Sequence, residues 1–510
     1  MKKILLALCF IVLHLAMHSQ DIMPPYPEVM KAFFLRYSYE PAEPYDKLML
    51  AKKKDGWYVH TIDQLNKDSV KTEQLFWSLR KASYLPLTGF GPGMDEKEAT
   101  AQLLQAMESD TWMLYNYDRC RYAGYNTWDA DMIRDFSNLE QAGDTLMEGL
   151  AKAYSYHACR YLWYTMGGTP YDDDTLKRPL SNLEMPGAAR IERFLYYTNK
   201  AIGYYQQLHR QNPGYKLVIG TPQMKILNEQ FYQYQQLWIA GYTTQAKQIL
   251  DRISSGDTLY HRIGHTYLDA CPANAILITY GDNDTYPLWY VQQKEGFRKD
   301  VTVINNNLLG VPAYVQRLKQ AYPRLFTTNV ASFRDIYSGY FLLDEEKGRQ
   351  DDTLSLASLL QQLQSVTDTI VNPVGTMATY PAQNILLQAD TNRLKKMTGQ
   401  ANLASRMNIR LNSYLLLADF LILDMLHTNL YTRPVCMVVN TGMFHNDYLQ
   451  RQGPVYRILP LNNNRSEIKL ASEIATMEAF LEKNPSPVVI TFSGNPPCTE
   501  ELSHGLYTGL

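Results

Sequence analysis

The chain carries no excess of either charge: 49 Lys and Arg stand against 51 Asp and Glu, a formal net charge of −2. No global basic field exists to attract a phosphate backbone, so no nucleic-acid partner is expected. Cysteine is scarce, six in 510 residues, and none falls in C-x-x-C spacing. Beyond Cys9, the set Cys120, Cys159, Cys271, Cys436 and Cys498 implies neither a disulfide framework nor a zinc knuckle, and buried free thiols are expected. Long apolar runs are missing too. Ile4 to Leu15 is too short for a membrane span, which needs about 20 residues, and Ser413 to Leu426 is interrupted by Asp419 and Asp424 and reads as a buried helix. No G-x-S-x-G elbow, Walker loop or G-x-G-x-x-G fingerprint follows a strand, and Gly89-x-Gly91-x-Gly93 has the wrong spacing. Hydrolase, kinase and dehydrogenase readings therefore lack support.

What is present is an ordinary globular composition, 45% hydrophobic and 20% charged, long enough for about three domains. Tyrosine stands out at 38, against 16 Phe and 7 Trp, and its hydroxyl suits wet surfaces better than dry cores. At the N-terminus Lys2 and Lys3 precede the apolar run Ile4 to Leu15, and Pro24 and Pro25 follow soon after. This is the pattern of a secretory signal peptide over residues 1–20, with cleavage near Ser19 or Gln20. Cys9 follows Leu8 rather than a small residue and does not read as a lipoprotein cysteine. The expected location is extracytoplasmic, in the periplasm or at the cell surface, with no transmembrane span after cleavage.

Three regions are expected beyond the signal. Residues 26–95 form a small β-rich module, with strands at Lys47 to Ala51 and Gly56 to Ile62 around the turn signal Asp55-Gly56. Residues 96–268 form a helical domain, with helices at Ala189 to His209 and Gln223 to Trp238. The segment Leu237 to Ile253 resembles a tetratricopeptide hairpin turning at Gly241 and packed by Tyr242, Ala246 and Leu250. Such helices serve as a scaffold for protein contact or simply as helical packing. Residues 269–510 form an α/β domain. The runs Asn274 to Tyr280 and Asp300 to Ile304, alternating with helices at Tyr286 to Glu295 and Pro312 to Tyr322, argue for a Rossmann-like parallel sheet. Runs at Asn384 to Gln388, Pro434 to Val439, Val455 to Leu459 and Pro487 to Phe492 could complete it, and Asp344 to Thr369 reads as an insertion with one helix, Leu354 to Leu363.

Parallel strands would carry three polar clusters at their carboxyl ends, where open α/β sheets bind ligands. These are Gly281-Asp282-Asn283-Asp284-Thr285, Asn305-Asn306-Asn307 and Asn440-Thr441-Gly442. Asp282, Asn283, Asp284, Asn305, Asn306, Asn440 and Thr441 are the candidate ligand-binding residues, amides and carboxylates able to grip the hydroxyls of a glycan. Asp282 and Asp284 could also hold a divalent cation through hard oxygen ligands. Turn and cap chemistry accounts for the same residues: Asp284 or Thr285 is a good N-cap with Pro287 in the first turn, and Gly281 and Asn283 suit a tight turn. His261 and His265, four apart, would share one helical face as metal-binding histidines do. No Glu intervenes and no third ligand is evident, so solvated or capping histidines are expected, with no metal and no cofactor.

The string Asn274-Ala-Ile-Leu-Ile-Thr-Tyr-Gly-Asp-Asn-Asp-Thr-Tyr-Pro-Leu-Trp-Tyr290, with Glu295 to Asn305, Leu308-Leu309, Leu423 to Pro434 and Asp447 to Arg457, resembles a known family. It looks like the soluble C-terminal region of bacterial multispan membrane proteins related to the O-mannosyltransferase-like transmembrane glycosyltransferases, over roughly residues 270 to 460. The resemblance implies an extracytoplasmic α/β domain preceded by tetratricopeptide-like helices. This chain departs from the family in carrying no multispan portion, where the transferase chemistry is expected to lie, so catalysis does not carry over. The expected function is a binding or scaffold protein of the cell envelope that recognises a glycan or a protein partner. The alternative is a glycan-active enzyme using the Asp282/Asp284 turn. Tyr280, Tyr286 and Tyr290, flanking that turn, are candidates for stacking on a sugar face.

Overall fold

A computed structural model describes residues 23–43, 45–63, 69–108, 119–125, 127–138, 142–162, 176, 180, 184–217, 220–329, 340–343, 353–365, 369–372, 375–440, 442–462 and 477–483. The expected signal peptide, the expected strand Pro487 to Phe492, Thr441 and Cys498 lie outside them. The chain is a mixed α/β protein with a β-rich N-terminal region, and it divides into two compact units, Met1–Pro179 with Pro186–Glu229, and Leu180–Met185 with Gln230–Leu510.

In the first unit, α1 (Tyr26–Arg36) precedes an antiparallel sheet of β1 (Asp46–Lys53), β2 (Gly56–Asp63), β3 (Ser69–Ser78) and β4 (Ser83–Tyr84), in that order. The β1–β2 hairpin pairs Lys53 with Gly56 across the predicted Asp55-Gly56 turn. Only glycine fits at 56, because a Cβ there would stand 1.9 Å from the Trp77 carbonyl oxygen. The helices that follow are α2 (Glu96–Glu108), α3 (Trp128–Phe136), α4 (Asp144–Cys159) and α5 (Ala188–Gln211). The β-rich region does not close its own core at residue 95. Phe33, Trp57 and Phe76 are buried in one cluster with Tyr122, Trp128, Leu150 and Ala201, so sheet and helices share their apolar interior.

Helix α6 (Pro222–Ile239) contains the unit boundary. In the second unit it is followed by α7 (Thr243–Arg252), reached through Gly241 at φ 83°, and by α8 (Thr258–Ala270). Ala246 and Ile249 are the buried residues of α7; Leu250, expected to pack the hairpin, is only half-buried. The main sheet contains β5 (Ile276–Thr279), β6 (Thr302–Asn305), β7 (Val435–Met437), β8 (Leu449–Gln452) and β9 (Val455–Ile458), in the order β8-β9-β7-β5-β6. Strands β7, β5 and β6 run parallel, as the sequence predicts, and every residue of the three is buried, which explains why apolar residues point to both faces and polar ones, Thr279, Thr302 and Asn305, stand only at strand ends. The remainder is antiparallel: β9 pairs with β7 against its direction, and β8 returns as a hairpin.

Between β5 and β6 lie α9 (Asp282–Tyr290) and a π-turn (Val291–Glu295), and after β6 comes α10 (Pro312–Ala321). Because α9 begins at Asp282, Pro287 sits in its second turn rather than its first. Helix α11 (Leu356–Ser365) is the one expected inside the insertion, entered through a short strand, Thr353–Ser355. That strand pairs in parallel with Asn384–Gln388, which in turn pairs with Arg406–Arg410, a separate three-stranded sheet; the run at 384 therefore does not join the main sheet as expected. The apolar run from Ser413 divides into a strand, Tyr414–Leu416, and the buried helix α12 (Leu417–Asn429). Among the described residues no helix is long and apolar enough to cross a membrane. Among the described residues Cys120, Cys271 and Cys436 form no disulfide, and burial pushes the thiols of Cys120 and Cys436 up to about 12, as expected of inert packing residues.

Candidate ligand-binding site

Strands β7, β5 and β6 deliver the three sequence-predicted clusters to one edge of the main sheet. The chain leaves β5 towards β6 on one side and later adds β7 on the other, so the order of connection reverses beside β5, the position where α/β sheets form a crevice. Here that crevice is nearly filled. Ile278, Thr279, Tyr280, Asn306, Ile422 and Val438 are among the residues around a recess of about 10 Å³, the space of a single water rather than a sugar ring.

Most of the predicted side chains serve their own turns. The Asp284 carboxylate is buried in the first turn of α9 and accepts from the Tyr280 amide at 2.7 Å and the Gly281 amide at 2.8 Å. Asp282 is exposed and accepts from the Asn283 amide at 3.0 Å. Asn305 is buried and accepts from the Asn307 amide at 3.1 Å. Asn440 accepts from the Gly442 amide at 3.1 Å and donates to the Phe444 carbonyl at 3.0 Å. Only Asn306, whose buried Oδ1 has no partner among the described residues, faces the recess with an unused acceptor. Tyr280 is exposed beside it, whereas Tyr286 and Tyr290 are buried against Phe231, with ring centroids 5.8 Å and 6.3 Å away. Those two tyrosines pack the interior and cannot stack on a sugar.

Burial pushes the Asp284 carboxyl up to about 6, against the lowering pull of the Tyr280 and Gly281 amides. A carboxyl raised on folding contributes stability that is complete below its unfolded value, near 3.9, and is lost as pH rises through about 6. Chemical unfolding at several pH values should therefore show the stability advantage of the native chain over Asp284→Asn shrinking by about 2 kcal/mol between pH 4 and pH 7. An advantage independent of pH would mean that Asp284 is ionised throughout.

A larger opening lies elsewhere in the second unit, over the edge strand β6. This cleft, of about 270 Å³, is walled by Tyr234 and Trp238 of α6, Trp289 of α9, Tyr314 of α10 and Tyr322. A second recess of about 310 Å³ along α7 shares Tyr234, Trp238 and Gln293 with it. The rings brace one another edge to face, Tyr234 with Trp289 at 5.8 Å and Trp238 with Tyr314 at 6.1 Å between centroids. The Arg317 guanidinium lies 5.3 Å from the Trp238 centroid, on one of its faces. Burial, with Tyr322 nearby, pushes the Tyr234 hydroxyl up to about 12, so it stays protonated near neutral pH. Gln292 is held by donating to the carbonyls of Arg298 and Val301 at 2.9 Å and 2.8 Å. Gln235, by contrast, lines the cleft at 4% exposure with an Oε1 that has no partner among the described residues. A buried acceptor left unmatched costs about 1–3 kcal/mol, and since Gln235 Oε1 is closed off from solvent, a ligand hydroxyl in the cleft would satisfy it only if the side chain turns towards the opening. In the sequence Tyr234 carries no local signal of a site beyond its four-residue spacing to Trp238, which places both on one face of α6.

The candidate histidines do meet a third group. His261, His265 and Glu295 gather their donor atoms within 4.8 Å of one another, and Glu295 was not identified as a partner from the sequence.

Residues 260–478 match the family described as TMEM260-associated domain 2. The matched stretch begins in α8 and includes the main sheet; Tyr234, Gln235 and Trp238 precede it. No curated protein and no solved structure matches the chain.

Proposed function

We propose that the chain is a secreted binding protein of the cell envelope, without catalytic activity of its own, that recognises a glycan through the aromatic cleft over β6. The observation that carries this reading is the pairing of five aromatic walls with the unsatisfied acceptor of Gln235. A sugar ring presents apolar C–H faces and a rim of hydroxyls, and such a cleft offers a matching surface to each. The charged N-terminal segment followed by an apolar run supports export, to the periplasm or the cell surface. The parallel β7-β5-β6 order with helical crossovers supports a Rossmann-like domain, and the α6–α7 turn at Gly241 supports a tetratricopeptide-like element beside the cleft. The match to TMEM260-associated domain 2 supports kinship with the soluble region of multispan glycosyltransferases, here in a binding role. The alternative, a glycan-active enzyme using Asp282 and Asp284, would require Asp284 to leave the two backbone amides that occupy its oxygens.

The test is a glycan array with the purified chain, followed by calorimetry on the glycans retained. Trp238→Ala and Trp289→Ala are expected to weaken binding about tenfold or more, the scale of an aromatic hot spot. Gln235→Leu, which keeps the volume and removes the acceptor, should weaken it several-fold, and Asp282→Ala should leave it unchanged. Loss on Asp282→Ala with Trp238→Ala intact would move the site to the strand ends. Retention of no glycan would remove the glycan reading and favour a protein ligand.

A further inference from the structure

We infer that His261, His265 and Glu295 form a binding site for a divalent transition metal of the zinc class. The two imidazoles stand one turn apart on α8, with ring centroids 4.2 Å from each other. His261 Nδ1 lies 3.0 Å from Glu295 Oε1, and His265 Nε2 lies 2.8 Å from Glu295 Oε2. Both nitrogens thus turn towards one carboxylate, and all three donors lie within 4.8 Å. Zinc takes imidazole nitrogen and carboxylate oxygen at roughly 2.0–2.2 Å, which sets neighbouring donors about 3.3 Å apart in a tetrahedron. With all three donors within 4.8 Å, none of their separations has to close by more than about 1.5 Å to reach that geometry.

Two features of the backbone bring these donors together. Helix α9 does not end as an α-helix but widens into the π-turn Val291–Glu295, closed by Gly296 at φ 73°. Such single π-turns recur at functional sites, because the extra residue re-aims the side chains that follow. Here the last residue of the turn is Glu295, and it points at α8. The second feature is Gly264, set between the two histidines. A Cβ at 264 would stand 2.5 Å from the Pro287 carbonyl oxygen and 2.7 Å from the Val291 methyls, so its absence lets α8 approach the α9 backbone closely. Nearby, Lys294 donates to the Leu250 carbonyl at 2.8 Å, which keeps its charge on another contact. Phe297 lies against the His265 ring, 3.9 Å between centroids, and fixes its plane.

Two neutral imidazoles and one carboxylate favour Zn²⁺ or its neighbours over Ca²⁺ and Mg²⁺, which prefer all-oxygen shells. On binding, the two N–H contacts to Glu295 give way to nitrogen–metal bonds, and each ring carries its proton on the opposite nitrogen. Three protein donors leave a fourth position facing solvent, since His261 is half exposed, so water or an anionic group of a ligand can complete the shell.

The experiment uses untagged full chain stripped with a chelator and titrated with Zn²⁺ by calorimetry, and with Co²⁺ followed by its visible absorption. The expected result is one metal per chain, no uptake of Mg²⁺ or Ca²⁺, and binding weakened about tenfold or more in each of His261→Ala, His265→Ala and Glu295→Gln. Glu295→Gln preserves side-chain shape, so its loss of binding with unchanged circular dichroism separates ligation from misfolding. His427→Ala, on α12 and outside the group, should bind as the parent does. Absence of stoichiometric uptake, or uptake unchanged in Glu295→Gln and His265→Ala, overturns the site.

Discussion

Replacing Asp129 with alanine is expected to lower the unfolding free energy by about 3–5 kcal/mol. Asp129 lies in the first turn of α3 and is completely buried, and its partners at the end of α4, His157 and Arg160, are buried too. Arg160 grips both carboxylate oxygens, Nε to Oδ2 at 2.7 Å and an NH2 donor to Oδ1 at 2.6 Å, and His157 Nδ1 lies 2.7 Å from Oδ2. Alanine would strip the buried Arg160 guanidinium and the His157 ring of the carboxylate that both of them hold, and removing one partner of a buried charged network costs more than the lost attraction alone. A double replacement, Asp129→Leu with Arg160→Met, should therefore be less destabilising than Asp129→Ala alone, and strictly additive losses would refute this account. Burial would draw the Asp129 carboxyl upward, but the hydrogen bonds from His157 and Arg160 outweigh it and hold the group below the usual carboxylate range. Its contribution is thus present above the unfolded value near 3.9 and is lost as pH falls through the lower folded value. The gap between native chain and Asp129→Ala, followed by chemical unfolding, should close on acidification.

Neither this triad nor the cleft could be read from the sequence, for a common reason. Asp129 and Arg160 stand 31 residues apart, and nothing local marks either as buried. The cleft draws on α6, α9 and α10, so its aromatics signal a site only once they converge. Apolar runs were more informative. The fully buried β5, β6 and β7 have no polar face to hide, and the sequence displays them as short runs with apolar centres and polar residues only at their ends. The same property misled at Asn384–Gln388, where an apolar run identifies a strand but not its partner; it pairs with Thr353–Ser355 and Arg406–Arg410 instead. Strand β8, Leu-Gln-Arg-Gln, has no apolar run at all and is defined by its hairpin with β9. At the strand ends the polar residues were placed correctly by the sequence, yet their side chains are largely spent on turns, since a chain leaving a buried strand must satisfy its amides locally. Glu295 escaped notice because an α-helical reading of Tyr286 to Glu295 cannot foresee the π-turn that aims it.

Asp424→Ala is expected to cost about 2–4 kcal/mol, although the residue looks in the sequence like a flaw in an apolar helix. It is fully buried in α12, and its carboxylate accepts from the amides of Thr327, at 3.0 Å and 2.9 Å to its two oxygens, and Thr328, at 2.7 Å. The hydroxyls of Thr327, Thr328 and Thr428 donate to it as well. One turn further on, Asn429 donates to the Leu325 carbonyl at 2.7 Å, so α12 holds the segment 325–328 at two points. Removing the carboxylate strands the buried Thr328 amide and hydroxyl, whereas the exposed Thr327 can turn to water. Asp424→Asn keeps one acceptor oxygen and should lose about half as much. Hydrogen exchange distinguishes a local anchor from a general core defect: the Thr327 and Thr328 amides should lose protection in Asp424→Ala while those of β5 and β6 keep theirs. Uniform loss across the second unit would show that the carboxylate supports the whole fold, and unchanged protection at Thr328 would show that it supports neither.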